Sequence, residues 1–114
     1  MPKISVLSIT SRDLYIPEII GCLKTQTFKD FEFVLVDDLK EQHLDYEKGV
    51  ESVFKFIHIT PEPIVPYYAA SAAFNDGLIR CSGELIFFMA DYVLPHFDCL
   101  RSHWELHEKY PKAF

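Results

Sequence analysis

Gly83-Glu84-Leu85-Ile86-Phe87-Phe88-Met89-Ala90-Asp91-Tyr92-Val93-Leu94-Pro95 drives an unbroken apolar run, residues 85–89, straight into one carboxylate, Asp91. A run without polar alternation reads as a strand with both faces covered, as in a parallel or mixed sheet flanked by helices. Asp91 then stands just past the strand's carboxyl end, the edge of an open α/β sheet where loops converge on ligands. An acid left buried and unpaired behind such a run would be costly, so Asp91 is either solvated in a cleft or bound to something. Pro95 closes the loop, and its fixed φ suits the first turn of a helix over 96–110.

The same strand-then-helix pattern repeats upstream. Ile4, Val6, Leu7 and Ile9 make a β-branched, apolar strand over 3–10 that stops at Thr10-Ser11-Arg12-Asp13. Ile16, Ile19, Ile20 and Leu23 recur at helical spacing over 14–25, with Pro17 tolerable in a first turn. Phe31-Glu32-Phe33-Val34-Leu35-Val36 is a second strand, ended by Asp37-Asp38. A βαβ unit of this size implies parallel neighbours with a right-handed crossover. The charged residues 42–53, with sparse Leu44, Val50 and Val53, predict a short solvent-facing helix, and the alternation over 54–59 suits a strand nearer the sheet edge. Pro61, Pro63 and Pro66 make 60–66 a rigid loop, and the Ala-rich residues 67–81 predict a helix ending in the Ser82-Gly83 turn. The whole predicts an α/β three-layer sandwich with a central, mainly parallel sheet, Rossmann-like, in one domain over residues 1–114.

Composition narrows the function. With 49% hydrophobic and 15% aromatic residues among 114, the chain has enough apolar material for a core. A net charge of -6 and a pI near 5.2 argue against a nucleic-acid groove or an anionic membrane surface, though a local phosphate site built from backbone N–H groups is compatible with it. Cys22, Cys81 and Cys99 have no metal or redox spacing and read as free thiols in a reducing compartment. No apolar run reaches transmembrane length, and the expected location is cytoplasmic.

Two strand ends carry acids, Asp37-Asp38 and Asp91, which predicts carboxylates converging at one sheet edge. For Asp37 and Asp38 two readings stand, ligand contact and capping of a turn. His103 and His107 share a helix face at a spacing that can hold a metal, but His103-Trp104-Glu105-Leu106-His107 is not the metalloprotease order, and a polar helix face is the simpler reading. His58 reads as an ordinary strand residue.

Pro2-Lys3-Ile4-Ser5-Val6 with Thr10-Ser11-Arg12, then residues 26–38 ending in Leu35-Val36-Asp37-Asp38, then Asn75-Asp76-Gly77-Leu78-Ile79, Gly83-Glu84-Leu85-Ile86 and a late Pro95 resemble the amino-terminal half of family 2 glycosyltransferases. The resemblance implies the glycosyltransferase A fold, in which this half binds a nucleotide diphosphate sugar of UDP or GDP type. It implies Thr10, Ser11 and Arg12 lining the nucleotide pocket, Asp37 or Asp38 accepting a hydrogen bond from base or ribose, and Asn75 near the donor. It also places Tyr67 and Tyr68 where a side chain contacts the nucleotide; core packing is the other reading of these two rings.

Two departures accompany the resemblance. Family members usually carry an Asp-any-Asp motif whose last acid coordinates Mn²⁺ or Mg²⁺; here Ala90-Asp91-Tyr92 keeps Asp91 alone, as the one metal ligand, in a degenerate DxD motif. No Lys or Arg lies near Asp91 along the sequence before Arg101. Family enzymes also continue into an acceptor-binding half, so the implied activity is sugar transfer to an unidentified acceptor hydroxyl only if that half is supplied. The alternative is a non-catalytic module that binds a nucleotide or a protein. A sheet edge or apolar patch left by the missing half would suit a second copy of the chain, giving a homo-oligomer.

Overall fold

The computed structural model describes residues 1–13, 15–61 and 70–111. Four strands, β1 (Ile4–Thr10), β2 (Phe31–Asp37), β3 (Lys55–Ile59) and β4 (Leu85–Phe88), form one sheet in the order β3-β2-β1-β4, with every pairing parallel. Helices α1 (Ile16–Lys24) and α3 (Cys99–Lys109) cover one face and α2 (Ala70–Arg80) the other. This is the expected three-layer α/β architecture with a parallel central sheet.

Strand parity sorts the core. Ile4 and Val6 of β1 and Phe31, Phe33 and Leu35 of β2 face the α1/α3 layer, where they meet Ile16, Ile19, Leu23, Leu100 and Trp104. Leu7, Val34 and Val36 face the other way, onto Ala73 of α2. β2 is buried along its whole length because it has a strand on each side and a helix layer on each face. Gly77 brings α2 close: a Cβ there would overlap Leu7 Cδ1 and meet Val36 Cγ2 at 3.0 Å. Gly83 does the same beneath β4, where a Cβ would stand 2.5 Å from the Ser5 nitrogen.

Buried polar groups fasten the layers. Glu32 is fully buried at the amino end of the sheet, yet its carboxylate accepts from Ser5 Oγ at 2.6 Å and the Ser82 N–H at 2.7 Å. Gln26, after α1, donates to the His96 carbonyl at 2.7 Å and accepts from the Leu100 N–H at 3.1 Å, which ties α1 to the start of α3. Trp104 of α3 is buried against the sheet, its ring 6.0 Å from that of Phe28 with Lys3 Nζ 5.3 Å from its centroid.

The structure departs from three expectations. β4 was expected to be covered on both faces, but Ile86 and Phe88 are 41% and 47% exposed. Their register opposite Ser5 and Leu7 puts them on the α2 side, where Phe74 meets Phe88 edge-on at 4.9 Å. No strand among the described residues pairs with the outer edge of β4, so this run marks a sheet edge. Second, residues 42–53 do not form a helix. Short 3₁₀ turns occupy Lys40–Gln42 and Leu44–Glu47, and Gly49 at φ 73° turns the chain away before β3. Third, Pro95 does not enter the last helix; Asp98 stands at the cap of α3, and Pro95 lies buried in the loop before it. No helix among the described residues is long and apolar enough to cross a membrane.

Candidate functional site

β1, β2 and β4 all run in one direction, so the loops leaving their carboxyl ends meet on a single edge. There they enclose a cleft of about 230 Å³ lined by Ile9, Thr10, Ser11, Arg12, Asp38, Pro61, Ala73 and Asp91. Two couplings hold its walls together. The Asp38 N–H donates to the Thr10 carbonyl at 3.0 Å, continuing the β1–β2 ladder one step past Asp37. Ser8 Oγ donates to the Met89 carbonyl at 2.6 Å, and the Met89 N–H to the Leu7 carbonyl at 2.8 Å, carrying the β1–β4 pairing toward Asp91.

Asp91 is buried and both oxygens of its carboxylate accept hydrogen bonds. Oδ2 accepts from Thr10 Oγ1 at 2.8 Å and from Arg12 Nε at 3.1 Å, while Oδ1 accepts from Arg12 Nη2 at 2.9 Å. This is the two-pronged guanidinium–carboxylate pair, strong and directional because both N–H vectors match the two oxygens. The Arg12 guanidinium holds the Asp91 carboxyl below the usual carboxylate range; burial pushes the other way, and the Thr10 hydroxyl reinforces the lowering. Reciprocally, Asp91 raises the pKa of Arg12. The scarcity of cations near Asp91 along the sequence is therefore misleading, since Arg12, 79 positions upstream, is its ion-pair partner.

The donor set at Asp91 fits a divalent cation poorly. Both of its oxygens already accept from a fixed positive group, and a cation on the same oxygens would stand against the guanidinium. Among the described residues no group of three His, Cys, Asp or Glu side chains is placed to hold a metal. His103 and His107 are no exception: His103 packs its ring 4.6 Å from Phe87, and His107 Nε2 contacts Glu84 Oε2 at 2.9 Å.

Asp37 behaves quite differently from its neighbour Asp38. It ends β2 with its side chain fully buried, on the parity of Phe33 and Leu35. Oδ2 receives His43 Nδ1 at 2.7 Å and His58 Nε2 at 2.9 Å, and Oδ1 accepts the Leu39 N–H at 2.9 Å. The other nitrogen of His43, Nε2, meets Asp13 from the loop after β1. Carboxylates only accept, so contact at both ring nitrogens makes His43 an imidazolium bridging two acids. Burial alone would lower its pKa, but Asp13 and Asp37 more than offset that and the net shift is upward. For Asp37, burial pushes the pKa up, while His58, His43 and the Leu39 N–H together bring it below the ordinary value. The rings stack in a column: His43 on Tyr46 at 4.4 Å, His58 on Phe56 at 5.2 Å, and Phe56 on Phe33 at 5.3 Å.

Of the residues singled out in the sequence, Thr10, Ser11, Arg12, Asp38 and Asp91 thus come together at one cleft. Asp37 stands behind it in the His cluster, and Asn75 is exposed on α2 and does not line it. Tyr67 and Tyr68 lie outside the described residues. His43 and His58 were missed as partners of Asp37. For His58 a signal existed, because strand alternation puts it on the same inward face as Phe56. For His43 none did, since the segment around it reads as solvent-facing.

No family model matches this sequence, and no curated protein matches it either. A likeness is found among solved structures. The crystal structure of S. aureus TarS residues 1–349, a glycosyltransferase, superposes with a TM-score of 0.81 at 22% identity, over 96% of this chain and 33% of that one. The chain therefore spans about a third of the TarS structure it matches, and the likeness, at this identity, is one of fold.

Proposed function

We propose that this chain binds a nucleotide diphosphate sugar and serves as the donor-binding part of a sugar transfer to an acceptor hydroxyl. One observation carries the reading: Thr10, Ser11, Arg12, Asp38 and Asp91, drawn from three strand ends, line one cleft at the carboxyl edge of a parallel sheet. The likeness of fold to TarS supports it. Asp38, exposed at the cleft, is an acceptor suited to the N–H of a base or the hydroxyls of a ribose, and Arg12 a donor suited to phosphate oxygens.

In such a transfer the acceptor oxygen bonds to the anomeric carbon. The bond from that carbon to the diphosphate breaks, the diphosphate leaves with the electron pair, and the acceptor proton passes to a base. Binding holds the donor for attack, and positive charge at the diphosphate lowers the barrier to its departure. No residue of this chain is assigned the base. The alternative of a protein that binds the nucleotide without turning it over draws on the same cleft.

Calorimetric titration with UDP and GDP tests the binding step common to both readings. Saturable one-to-one binding of one of them, weakened by Asp38→Ala, is the expected result. Absence of binding for both would sink the proposal. Incubation of the chain with the matching labelled nucleotide sugar then separates the two readings, because release of free sugar or transfer to an added acceptor requires turnover.

A further inference from the structure

At the position where the family resemblance expects an acid to hold a divalent cation, this structure puts a guanidinium on that acid. The Arg12–Asp91 pair is two-pronged, and Thr10 fixes the carboxylate from a third direction. A guanidinium carries five N–H donors. Asp91 takes the Nε hydrogen and one on Nη2, which leaves three N–H groups on a side chain that is 56% exposed at the cleft.

We infer that this chain holds the phosphate groups of its nucleotide through the unused N–H groups of Arg12, without a divalent cation. The inference rests on the nucleotide reading proposed above. Its physical basis is threefold. The planar fork matches phosphate as well as carboxylate, so one Arg can serve Asp91 and an incoming phosphate together. Because Asp91 already fixes the guanidinium, less side-chain freedom is lost when the anion arrives. Finally, Arg12 neutralises Asp91, the buried acid among the described residues of the cleft, so an anion at Arg12 does not face Asp91 as a bare carboxylate. A cation at Asp91 would have to displace Arg12 first, losing a bidentate pair to gain a single carboxylate ligand.

The deciding experiment is calorimetric titration of UDP and GDP into the full chain, once in EDTA and once in Mn²⁺. The bound nucleotide is expected to have the same Kd in both, within about twofold, and Arg12→Gln to weaken it about tenfold in EDTA. Arg12→Lys, which keeps the charge and loses the fork, should fall between them. Thermal melts of both variants verify that they remain folded. Binding that appears only with Mn²⁺, or an Arg12→Gln variant that binds as well as the parent chain, would overturn the inference while leaving the nucleotide reading standing. Failure of both nucleotides in both buffers would remove the nucleotide reading, and this inference with it. A third arm needs no nucleotide: the electron paramagnetic resonance signal of free Mn²⁺ should be unchanged by the chain. A signal depleted by the parent and restored by Asp91→Asn would overturn the inference by itself.

Discussion

Asp37 and Asp91 both stand at the carboxyl edge of the sheet, and both are buried, yet they have been given opposite surroundings. Asp91 is paired with a guanidinium that reaches in from an exposed loop and keeps part of its donor capacity facing the cleft. Asp37 is paired with two imidazoles and a backbone N–H, all of them inside. The first arrangement leaves hydrogen-bonding groups at the surface for a ligand; the second uses nearly all of them internally. A carboxylate at a strand end is thus not in itself a binding group. What decides is whether its partner retains unused donors that water can reach.

Breaking the closed cluster is expected to give the largest effect. Asp37→Ala leaves His43 and His58 without their shared acceptor in a buried setting, and should cost about 3 kcal/mol of unfolding free energy. Urea denaturation measures this directly, and a loss below about 1 kcal/mol would show that the cluster does not hold the edge together. For a domain whose whole stability is on the order of 10 kcal/mol, a loss of the expected size is substantial.

A smaller effect follows from pH. His43 has a raised pKa in the folded chain, so its contribution is fully present below the unfolded imidazole value of about 6.5 and is lost as pH rises through the folded value. Asp37 runs the other way: its contribution is present above the unfolded carboxylate value of about 3.9 and is lost as pH falls through its lowered folded value. Stability should therefore form a plateau between two limbs. The groups facing His43 are Asp13, Asp37 and Tyr46, and because Asp13 is largely exposed the upper limb should amount to about 0.5–1 kcal/mol. Denaturation midpoints across pH, repeated on His43→Gln, test the assignment; an upper limb unchanged in the variant would place the titration elsewhere.

The smallest expected change in stability comes one residue along. Asp38→Asn should shift unfolding by less than about 0.5 kcal/mol, because Asp38 is exposed and its N–H bond to Thr10 is made by the backbone. If Asp38→Asn proved as damaging as Asp37→Ala, the contrast between an inner and an outer acid would collapse.

The central architecture was readable in the sequence because it is local. Residues 3–10 and 31–36 announce themselves as buried strands, and the helical spacing between them fixes a parallel pair. What escaped depends on distant encounters. β4 looked like an interior strand because its apolar run is unbroken, but composition does not say whether a further strand lies alongside it. The helix expected over 42–53 fails where Gly49 takes a positive φ and His43 is drawn inward to Asp37, a tertiary contact that overrides a local pattern. At the candidate site, Thr10 was legible as the last residue of a strand, and Arg12, Asp38 and Asp91 as loop residues following strands. The pairing of Arg12 with Asp91 was not, since it depends on β4 lying beside β1, which only the folded topology reveals.

Trp104, the sole tryptophan of the chain, gives the molecule an optical gauge of its own. It is packed at the amino end of β1 near Lys3, whereas the cleft opens beyond Thr10, seven strand residues away, roughly 20 Å at the usual rise. Its emission should be indifferent to what enters the cleft and shift to the red when α3 lifts from the sheet and the indole meets water. Read beside far-ultraviolet circular dichroism, which follows all the helices and strands together, it reports whether that outer helix leaves with the rest of the fold or ahead of it.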